Sequence, residues 1–373
     1  MKRIVISFCT LIILSACVSN PSSKSIGYGP FPGPVAVPSI SFAPRNYICY
    51  RTKDSICVDG NIEEKEWSHA PWSELFTDIE GDLKPMPLYD TRIKLLWDEQ
   101  YLYIAAEIDE PNIWATLRQR DTVVYYDNDF EVFIDPDGDT HGYYEFEMNA
   151  FNTVWDLLLT SPYRDFGHVI DAWDIDGLLS AVKIYGTIND PSDTDEKWTI
   201  ELAFPFKVLS EWGNMPVNGT QWRVNFSRVN WKTKVINGRY VKMTDPASGK
   251  ALPEYNWLWT PQGVINVHYP EMWGFLQFSS DDGTGQRVKF NMNPDENIKW
   301  DLRRLYYAQR AYSAAKRCYA ADAGLLSDYG YTPAGLKPKI LVTMSGYEAS
   351  LPAVSHKGYI FINHQGLTWS VFR

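Results

Sequence analysis

Residues 125–149 of this chain read YYDNDFEVFIDPDGDTHGYYEFEMN, two runs of alternating polar and apolar residues joined by an acidic turn. Period-two alternation is typical of half-buried strands, and the DPDGD turn combines a proline that fixes φ with a glycine that accepts positive φ. The stretch therefore predicts a β-hairpin in which Glu131 faces Glu145 or Glu147 on one side. Because like charges directly opposite each other are destabilising, we expect an arginine, a cation or a ligand to compensate these carboxylates.

The composition of the whole chain points to a β fold as well. Its 373 residues include 15 Trp, 23 Tyr and 17 Phe, with glycine and proline spread along the sequence. Short strand-like runs recur without helices between them, which predicts a mainly β protein built as an antiparallel β-sandwich. The net charge of -11 disfavours nucleic acid and anionic membrane surfaces as partners, and it leaves neutral ligands, cationic ligands and calcium.

The N-terminus has the pattern of a processing signal. Lys2 and Arg3 precede an apolar run too short to span a bilayer, and the tetrapeptide LSAC ends at Cys17. LSAC resembles the bacterial lipoprotein box, which implies that residues 1–17 are a lipoprotein signal peptide and that Cys17 carries lipid. We therefore expect a protein anchored in the bacterial cell envelope, at the outer membrane or the cell surface, that meets the membrane only through this lipid. An ordinary secretory signal is the alternative.

Composition divides the remaining chain into three parts. Residues 18–47 are rich in Ser, Pro and Gly and predict a flexible tether. Residues 48–280 hold the strand-like runs of the sandwich. Residues 281–373 predict a small α+β appendage, because a stretch with helical spacing is followed by short strands.

Two cysteines are candidates for a disulfide. Cys49 and Cys57 flank a short stretch that could form a hairpin, and an exported compartment permits disulfides. Two buried thiols are the alternative. The sequence has no Cys-x-x-Cys or His-x-x-His spacing, so we do not expect a zinc site.

Aromatic and carboxylate side chains in and near the hairpin suggest a sugar site. Sugars present C–H faces on which aromatic rings stack, and hydroxyls that carboxylates and arginine bind. The structural alternatives are aromatic rings that fill the core or its rim, and a buried polar network in which Asn225 and Arg228 compensate the carboxylates. The predicted ligand-binding residues are Tyr125, Glu131, Glu147, Trp173, Asn225, Arg228 and His268.

The turn of the hairpin is a candidate calcium site. Asp135, Asp137 and Asp139 have the oxygen-rich spacing that suits this cation. No glutamate follows at the position that an EF-hand requires, so a plain Asp-rich turn is the alternative.

Several short motifs occur in a fixed order along the chain. They are VDG (58–60) with Glu66-Trp67, LWD (96–98) with YLYI (101–104), DFEVFID (129–135), WTIE (198–201) with PF (205–206), WRVNFSR (222–228), and WTP (259–261) followed by His268, Pro270, Trp273 and Gly274. In this order they resemble carbohydrate-binding module family 9. The resemblance implies a sandwich of jelly-roll or immunoglobulin-like type, sugar binding, a place in extracellular polysaccharide recognition or breakdown, and calcium sites.

The resemblance also implies site residues. Binding members of the family hold a terminal sugar between two tryptophans and bind its hydroxyls through carboxylates, an arginine and an amide. The first aromatic falls at Tyr125 and the hairpin carboxylate at Glu131, whereas Glu147 stands at the arginine position. Val267 stands where the second tryptophan is expected, beside His268, so the aromatic pair is not reproduced. The expected function is a non-catalytic carbohydrate-binding lipoprotein whose partner is a poly- or oligosaccharide.

Two other functions are compatible with these residues. Glu131 paired with Glu145 or Glu147 would suit a glycoside hydrolase, since facing carboxylates on adjacent strands are about 5 Å apart, near the separation in retaining enzymes. A haem-binding sandwich of the same broad superfamily would need axial ligands, for which Met148 and His168 are the candidates.

Overall fold

The computed structural model describes residues 32–373. The predicted signal peptide, the lipidation of Cys17 and the first part of the predicted tether lie outside the described residues. The described chain is mostly β, with a curled sheet that forms a β-sandwich and a small C-terminal helix and sheet, which confirms the predicted fold class.

The strands and helices follow one another along the described chain in this order. The strands are β1 (Asn46–Arg51), β2 (Thr77–Asp78), β3 (Thr91–Trp97), β4 (Tyr101–Asp109), β5 (Asp129–Asp135), β6 (Tyr143–Asn149), β7 (Val154–Leu159), β8 (Val169–Ile170), β9 (Leu179–Tyr185), β10 (Lys197–Pro205), β11 (Gln221–Asn230), β12 (Thr233–Ile236), β13 (Arg239–Lys242), β14 (Tyr255–Leu258), β15 (Gly274–Ser279), β16 (Lys339–Val342), β17 (Tyr347–Pro352), β18 (Gly358–Asn363) and β19 (Thr368–Phe372). The α-helices are α1 (Phe206–Leu209) and α2 (Asp295–Lys316). Short 3-10 turns occupy Lys65–His69, Gly81–Leu83, Val124–Tyr126, Tyr163–Asp165, Pro270–Met272 and Ala323–Tyr329.

One long sheet supplies both layers of the sandwich. Its strand order is β8-β7-β6-β5-β11-β15-β1-β3-β4-β10-β9, with β14 and β2 branching from β11. Phe146 on β6 and Phe204 on β10 lie near opposite ends of that order, yet their ring centroids are 5.2 Å apart. The sheet therefore folds over itself and encloses an apolar core. Within it, β1 pairs in parallel with β15 and β3, so the sandwich is not antiparallel throughout.

The predicted hairpin is β5 and β6, paired in antiparallel register. Phe130, Val132 and Ile134 point into the core, as the alternation predicts. The opposite parity points to the outer face, where Glu131 lies directly across from Glu147. Both carboxyl side chains are nonetheless buried, because loops from elsewhere in the chain cover that face.

The predicted disulfide between Cys49 and Cys57 is wrong. Both cysteines are free thiols, with Cys49 buried in the core and Cys57 exposed. The hairpin that would have joined them does not form, because β1 pairs with β15 and β3 instead of turning back on itself.

The C-terminal part packs on the end of the sandwich that carries the Pro270–Met272 turn. Strands β16 to β19 form a four-stranded antiparallel sheet, and α2 packs on it. Leu302 and Leu305 of α2 share one apolar cluster with Tyr269 and Met272 from the sandwich. Within the described residues, no helix is long and apolar enough to cross a bilayer.

The described part of the predicted tether also lies on this cluster. Arg310 donates a hydrogen bond to the carbonyl of Gly33 at 2.9 Å, and Tyr269 donates one to the carbonyl of Ala36 at 2.9 Å. Ile40 and Phe42 pack against the same apolar cluster. From residue 33 to the start of β1 the chain is thus held against the body, which differs from the flexible tether expected over this part.

Candidate functional site

A cavity of about 520 Å³ opens on the outer face of β5, β6 and β7. We call it the acidic pocket. Its floor is built from alternate strand residues, and its walls come from the Val124–Tyr126 turn, the Tyr163–Asp165 turn, the start of β14 and the loop before Pro270–Met272. The lining residues are Ile79, Tyr125, Glu131, Glu145, Glu147, Trp155, Leu157, Tyr163, Val229, Glu254, Asn256, Ile265, Asn266, Val267 and His268.

Three buried carboxyl groups dominate the floor of the acidic pocket. Burial raises the pKa of Glu131 to about 7, and the nearby Glu254 acts in the same direction. Burial raises the pKa of Glu145 and of Glu147 well above the ordinary range, and their negative neighbours raise both further. At neutral pH Glu145 and Glu147 are therefore protonated and Glu131 is protonated in part of the molecules, and a protonated carboxyl both donates and accepts hydrogen bonds.

The carboxyl groups differ in their hydrogen-bond partners. Glu147 Oε2 accepts a hydrogen bond from the backbone N–H of Tyr125 at 3.0 Å, which ties the wall of the pocket to its floor. Glu145 Oε2, by contrast, is buried and has no hydrogen-bond partner among the described residues. A buried oxygen without a partner costs free energy, so a bound group that contacts this oxygen would relieve that cost.

His268 forms part of the pocket wall, and its imidazole ring is uncharged. Burial and the neighbouring Arg164 lower its pKa to about 3. Its Nδ1 lies 3.0 Å from the Tyr143 hydroxyl, and its Nε2 lies 3.9 Å from Glu145 Oε1. Arg164 also holds the backbone here, because it donates a hydrogen bond to the carbonyl of His268 at 2.9 Å.

Three aromatic side chains surround the carboxyl groups. Tyr125 lies beside Tyr126, with ring centroids 4.9 Å apart, and Tyr163 meets the ring of His268 edge-on at 4.6 Å. Trp155 is fixed by a 2.9 Å hydrogen bond from its indole N–H to Asp171. The pocket therefore offers apolar ring surfaces next to polar hydrogen-bonding groups.

Four of the seven predicted ligand-binding residues meet in this pocket. They are Tyr125, Glu131, Glu147 and His268. The sequence does not single out Tyr163 or Glu254, because one lies in a turn and the other just before a strand, where no alternation marks a face. Folding alone brings them next to the hairpin.

Arg228 does not compensate the hairpin carboxylates, so that prediction is wrong. On β11 its parity is that of Phe226, which points into the core, whereas Ser227 is the neighbour of Glu131. The guanidinium is buried on that opposite side and donates to Glu110 at 2.7 Å and to Thr91 at 3.0 Å. Its charge is therefore used inside the sandwich.

Asn225 and Trp173 also lie away from the pocket. Asn225 is fully buried, and its amide bonds the backbone N–H and carbonyl of Thr260 at 3.0 and 2.9 Å, a structural clamp. Trp173 stacks on Tyr144, with ring centroids 4.8 Å apart, and Tyr144 belongs to the core side of β6. Met148, the candidate haem ligand, is likewise buried in the core.

The predicted calcium residues form a turn that satisfies much of its own polarity. Ligand oxygens of Asp135, Asp137 and Asp139 lie within 4.8 Å of one another. Asp135 accepts hydrogen bonds from the N–H groups of Gly138 and Thr140 at 2.9 and 3.0 Å. Lys299 places its ammonium 3.0 Å from the Gly138 carbonyl, so a cation from α2 already lies beside the turn. Calcium binding at this turn stays a prediction.

Comparison with known proteins places these observations in a family. The sequence profile described as carbohydrate family 9 binding domain-like matches residues 58–248, just over half of the chain. Two solved structures of a family 9 carbohydrate-binding module from Caldicellulosiruptor kristjanssonii are similar, one in complex with cellotriose (16% identity, 66% of this chain and 100% of that one, TM-score 0.39) and one with glucose (17%, 66% and 100%, 0.38). A putative carbohydrate-binding protein from Bacteroides uniformis ATCC 8492 is also similar (13%, 64% and 100%, 0.47). No curated protein matches. The profile match over residues 58–248 shows that the chain belongs to the carbohydrate family 9 binding domain-like family.

Proposed function

We propose that this chain is a non-catalytic carbohydrate-binding protein and that the acidic pocket binds a unit of a poly- or oligosaccharide. One observation carries the proposal: in a family 9-like domain, three aromatic rings and three buried carboxyl groups line the same cavity. The rings would stack on the C–H face of a sugar, and the carboxyl groups would exchange hydrogen bonds with its hydroxyls.

The make-up of the pocket supports a rebuilt sugar site. Tyr125 stands at the position of the first family aromatic, and Val267 stands where the second is expected. Tyr163, from a different turn, lines the same cavity as Val267 and supplies an aromatic ring there. In this proposal Tyr163 takes over the stacking that Val267 cannot provide.

The position of the carboxyl groups favours binding over hydrolysis. Glycosidases place two carboxyl groups on the two sides of the scissile bond, about 5–5.5 Å apart in retaining enzymes and about 6.5–9.5 Å apart in inverting ones. Glu131, Glu145 and Glu147 all rise from one face of one hairpin, so they approach a ligand from the same side. Their raised pKa values suit hydrogen bonding to hydroxyls.

The cellular setting is part of the same proposal. The LSAC tetrapeptide ending at Cys17 supports a lipoprotein anchored in the bacterial cell envelope. A lipid-anchored binding protein would hold extracellular glycans close to the cell surface for recognition or breakdown. Labelling of intact cells with a radioactive fatty acid, compared with a Cys17→Ala variant, tests the anchor.

The binding function is tested by an affinity-gel and glycan-array screen of the chain from residue 18 onward, followed by titration calorimetry on the best glycan. We expect Tyr125→Ala to weaken binding about tenfold or more, as loss of a stacking ring predicts. Tyr359→Ala is the matched control, because Tyr359 is only partly buried, lies on β18 of the C-terminal sheet and does not line the cavity.

Three results would contradict sugar binding in the acidic pocket. Failure to bind any plant, algal or host glycan, with and without calcium, would refute it. Equal losses in the two tyrosine variants would move the site elsewhere. Release of sugar from a glycan, abolished by Glu131→Gln, would favour the hydrolase instead.

A further inference from the structure

The ionisable groups that line the acidic pocket are almost all acidic. Its lining includes the four glutamates Glu131, Glu145, Glu147 and Glu254, and none of the described residues that line it is a lysine or an arginine. Among the described lining residues the one basic side chain is that of His268, and burial lowers its pKa so that it is uncharged at neutral pH. A ligand therefore meets only acidic, neutral or aromatic groups.

The cations nearest to the pocket are engaged elsewhere. Arg164 stands behind the wall and forms a two-pronged ion pair with Glu271 at 2.8 and 2.7 Å. Arg228 lies on the other face of the sheet with Glu110. Lys242 lies over the ring of Trp231, 3.3 Å from its centroid, outside the lining of the cavity. The protein itself thus supplies no counter-charge inside the pocket.

Two buried oxygens also lack partners at this place. Glu145 lines the cavity, is 5% exposed, and its Oε2 has no hydrogen-bond partner among the described residues. Asp129, fully buried beside Glu131 and Glu147 but outside the lining of the cavity, likewise has one oxygen without a partner in the described part of the chain. Buried acceptors without donors are unfavourable, and a ligand in the cavity that brings hydrogen-bond donors and positive charge would satisfy the Glu145 oxygen.

We propose that the acidic pocket selects sugars that carry a protonated amine, of the glucosamine type, over neutral sugars and over uronic acids. The inference rests on the proposed sugar-binding function and names its ligand class. An ammonium group donates three hydrogen bonds and neutralises carboxylates that ionise as it arrives. A uronate would bring a negative charge to a pocket whose lining offers it no cation, and it would oppose the ionisation of the carboxyl groups beside it.

The test compares oligosaccharides of equal length that differ mainly in one substituent. The probes are oligomers of β-1,4-linked glucosamine, N-acetylglucosamine and glucose, with an oligogalacturonate as the anionic probe. Affinities are measured by calorimetry with the chain from residue 18 onward at pH 6 and low salt. We expect the glucosamine oligomer to bind about tenfold or more tightly than the glucose oligomer, and this ratio to fall as salt rises.

Variants separate the pocket from the general negative charge of the protein. Glu145→Gln removes the partnerless carboxyl, and we expect the ratio between the amino and neutral oligomers to fall below about threefold. Glu131→Gln is a second variant at the same site, should the first be poorly folded. Glu63→Gln is the control, because it is the same substitution at an exposed residue outside the pocket.

The outcomes distinguish failure of the amino-sugar preference from failure of sugar binding itself. Equal or tighter binding of the neutral or the anionic oligomer overturns the amino-sugar inference and leaves sugar binding intact. Absence of binding by every oligosaccharide, here and in the wider screen, overturns both. Calcium alone is titrated in parallel: binding that Glu131→Gln abolishes would assign the carboxyl cluster to a metal and overturn the inference.

Discussion

Carboxyl oxygens of Asp129, Glu131 and Glu147 lie within 4.8 Å of one another beneath the acidic pocket. Three ionised groups at that separation in a buried site would repel one another strongly. Burial raises the pKa of each of the three, so the folded protein keeps protons that the unfolded chain would release. Proton uptake is thus how the ligand-free hairpin tolerates facing carboxyl groups.

Substitution of Glu131 by Gln should reduce the pH dependence of stability. The folded pKa of Glu131 is about 7, above the ordinary value of 4.5, so its favourable contribution is complete below pH 4.5 and is lost as pH rises through 7. Between pH 5 and pH 8 the wild type should therefore lose on the order of 1–3 kcal/mol more than Glu131→Gln. Urea unfolding at both pH values measures the difference. An equal loss in the two proteins would contradict the assignment.

Arg228 is expected to matter for stability through its partner on the core side. Arg228→Met would leave the buried Glu110 without its cation, which typically costs about 3–5 kcal/mol. The double variant Glu110→Gln/Arg228→Met should recover much of that loss, because neither charge is then left alone. Chemical denaturation of the two variants tests this, and a single variant within about 1 kcal/mol of wild type would show that the pair is not needed.

The side to which Arg228 points could have been foreseen in part. It shares parity with Trp222, Val224 and Phe226, and that run of apolar residues marks the core side of β11. What the sequence could not provide is the register that sets Ser227, and not Arg228, beside Glu131. Register between strands about a hundred residues apart depends on tertiary pairing.

Among the secondary-structure elements, local sequence patterns predict where strands lie better than they predict which strands pair. The hairpin of β5 and β6, and most strands of the sheet from β3 to β11, follow from alternation and turn residues. Strand β1 is missed, and with it the parallel pairing that closes the sheet between β15 and β3. The walls of the pocket are missed for the same reason, since they belong to turns that only the folded sheet brings together.

The short turn Pro270–Met272 links α2 to the pocket wall. Glu271 in this turn accepts two hydrogen bonds from Arg164, and Tyr307 of α2 donates another to it. Burial alone would raise the pKa of Glu271, but Arg164 and Arg303 lower this pKa to about 2. Because Arg164 also binds the carbonyl of His268, this network fixes one side of the cavity.

Removal of the Glu271 charge should weaken both the fold and the pocket. Glu271→Gln removes the anion that Arg164 and Arg303 share and leaves Arg164 only Asp165, at 3.4 Å, so we expect a loss of about 3–5 kcal/mol. Glycan affinity should fall as well, since His268 loses its anchored backbone. Because the pKa of Glu271 is lowered, its contribution to the free energy of unfolding is complete above pH 4.5 and is lost as the pH falls toward 2.

Unfolding in denaturant and calorimetric binding together test the Glu271 prediction. Glu348→Gln is the control, because Glu348 is exposed on β17 of the same C-terminal sheet. A stable Glu271→Gln variant with unchanged glycan affinity would show that α2 does not support the pocket.

In the whole molecule, the sequence changes character near residue 280, but the parts on the two sides of that boundary pack against each other. One apolar cluster contains residues of α2, of β17 and β18, and of the sandwich loop that includes Tyr269. Buried Asp165 of the sandwich pairs with Arg310 at 2.9 Å. The N-terminal segment crosses the same cluster through Ile40 and Phe42. Three parts that composition separates are therefore packed together.

This packing predicts a single cooperative unfolding unit. The chain from residue 18 onward should show one calorimetric transition, because separating α2 from the sandwich would expose Asp165, Glu271 and an apolar cluster together.

A chain ending at residue 281 should melt at a markedly lower temperature and lose glycan affinity, since Arg303 and Tyr307 no longer hold Glu271 and the pocket wall. A chain starting at residue 46 should show a smaller loss, because it lacks only the contacts of the segment before β1, from Gly33 to Arg45. Two separate transitions in the full chain, or a truncated chain with the wild-type melting temperature, would show that the C-terminal part is an independent appendage.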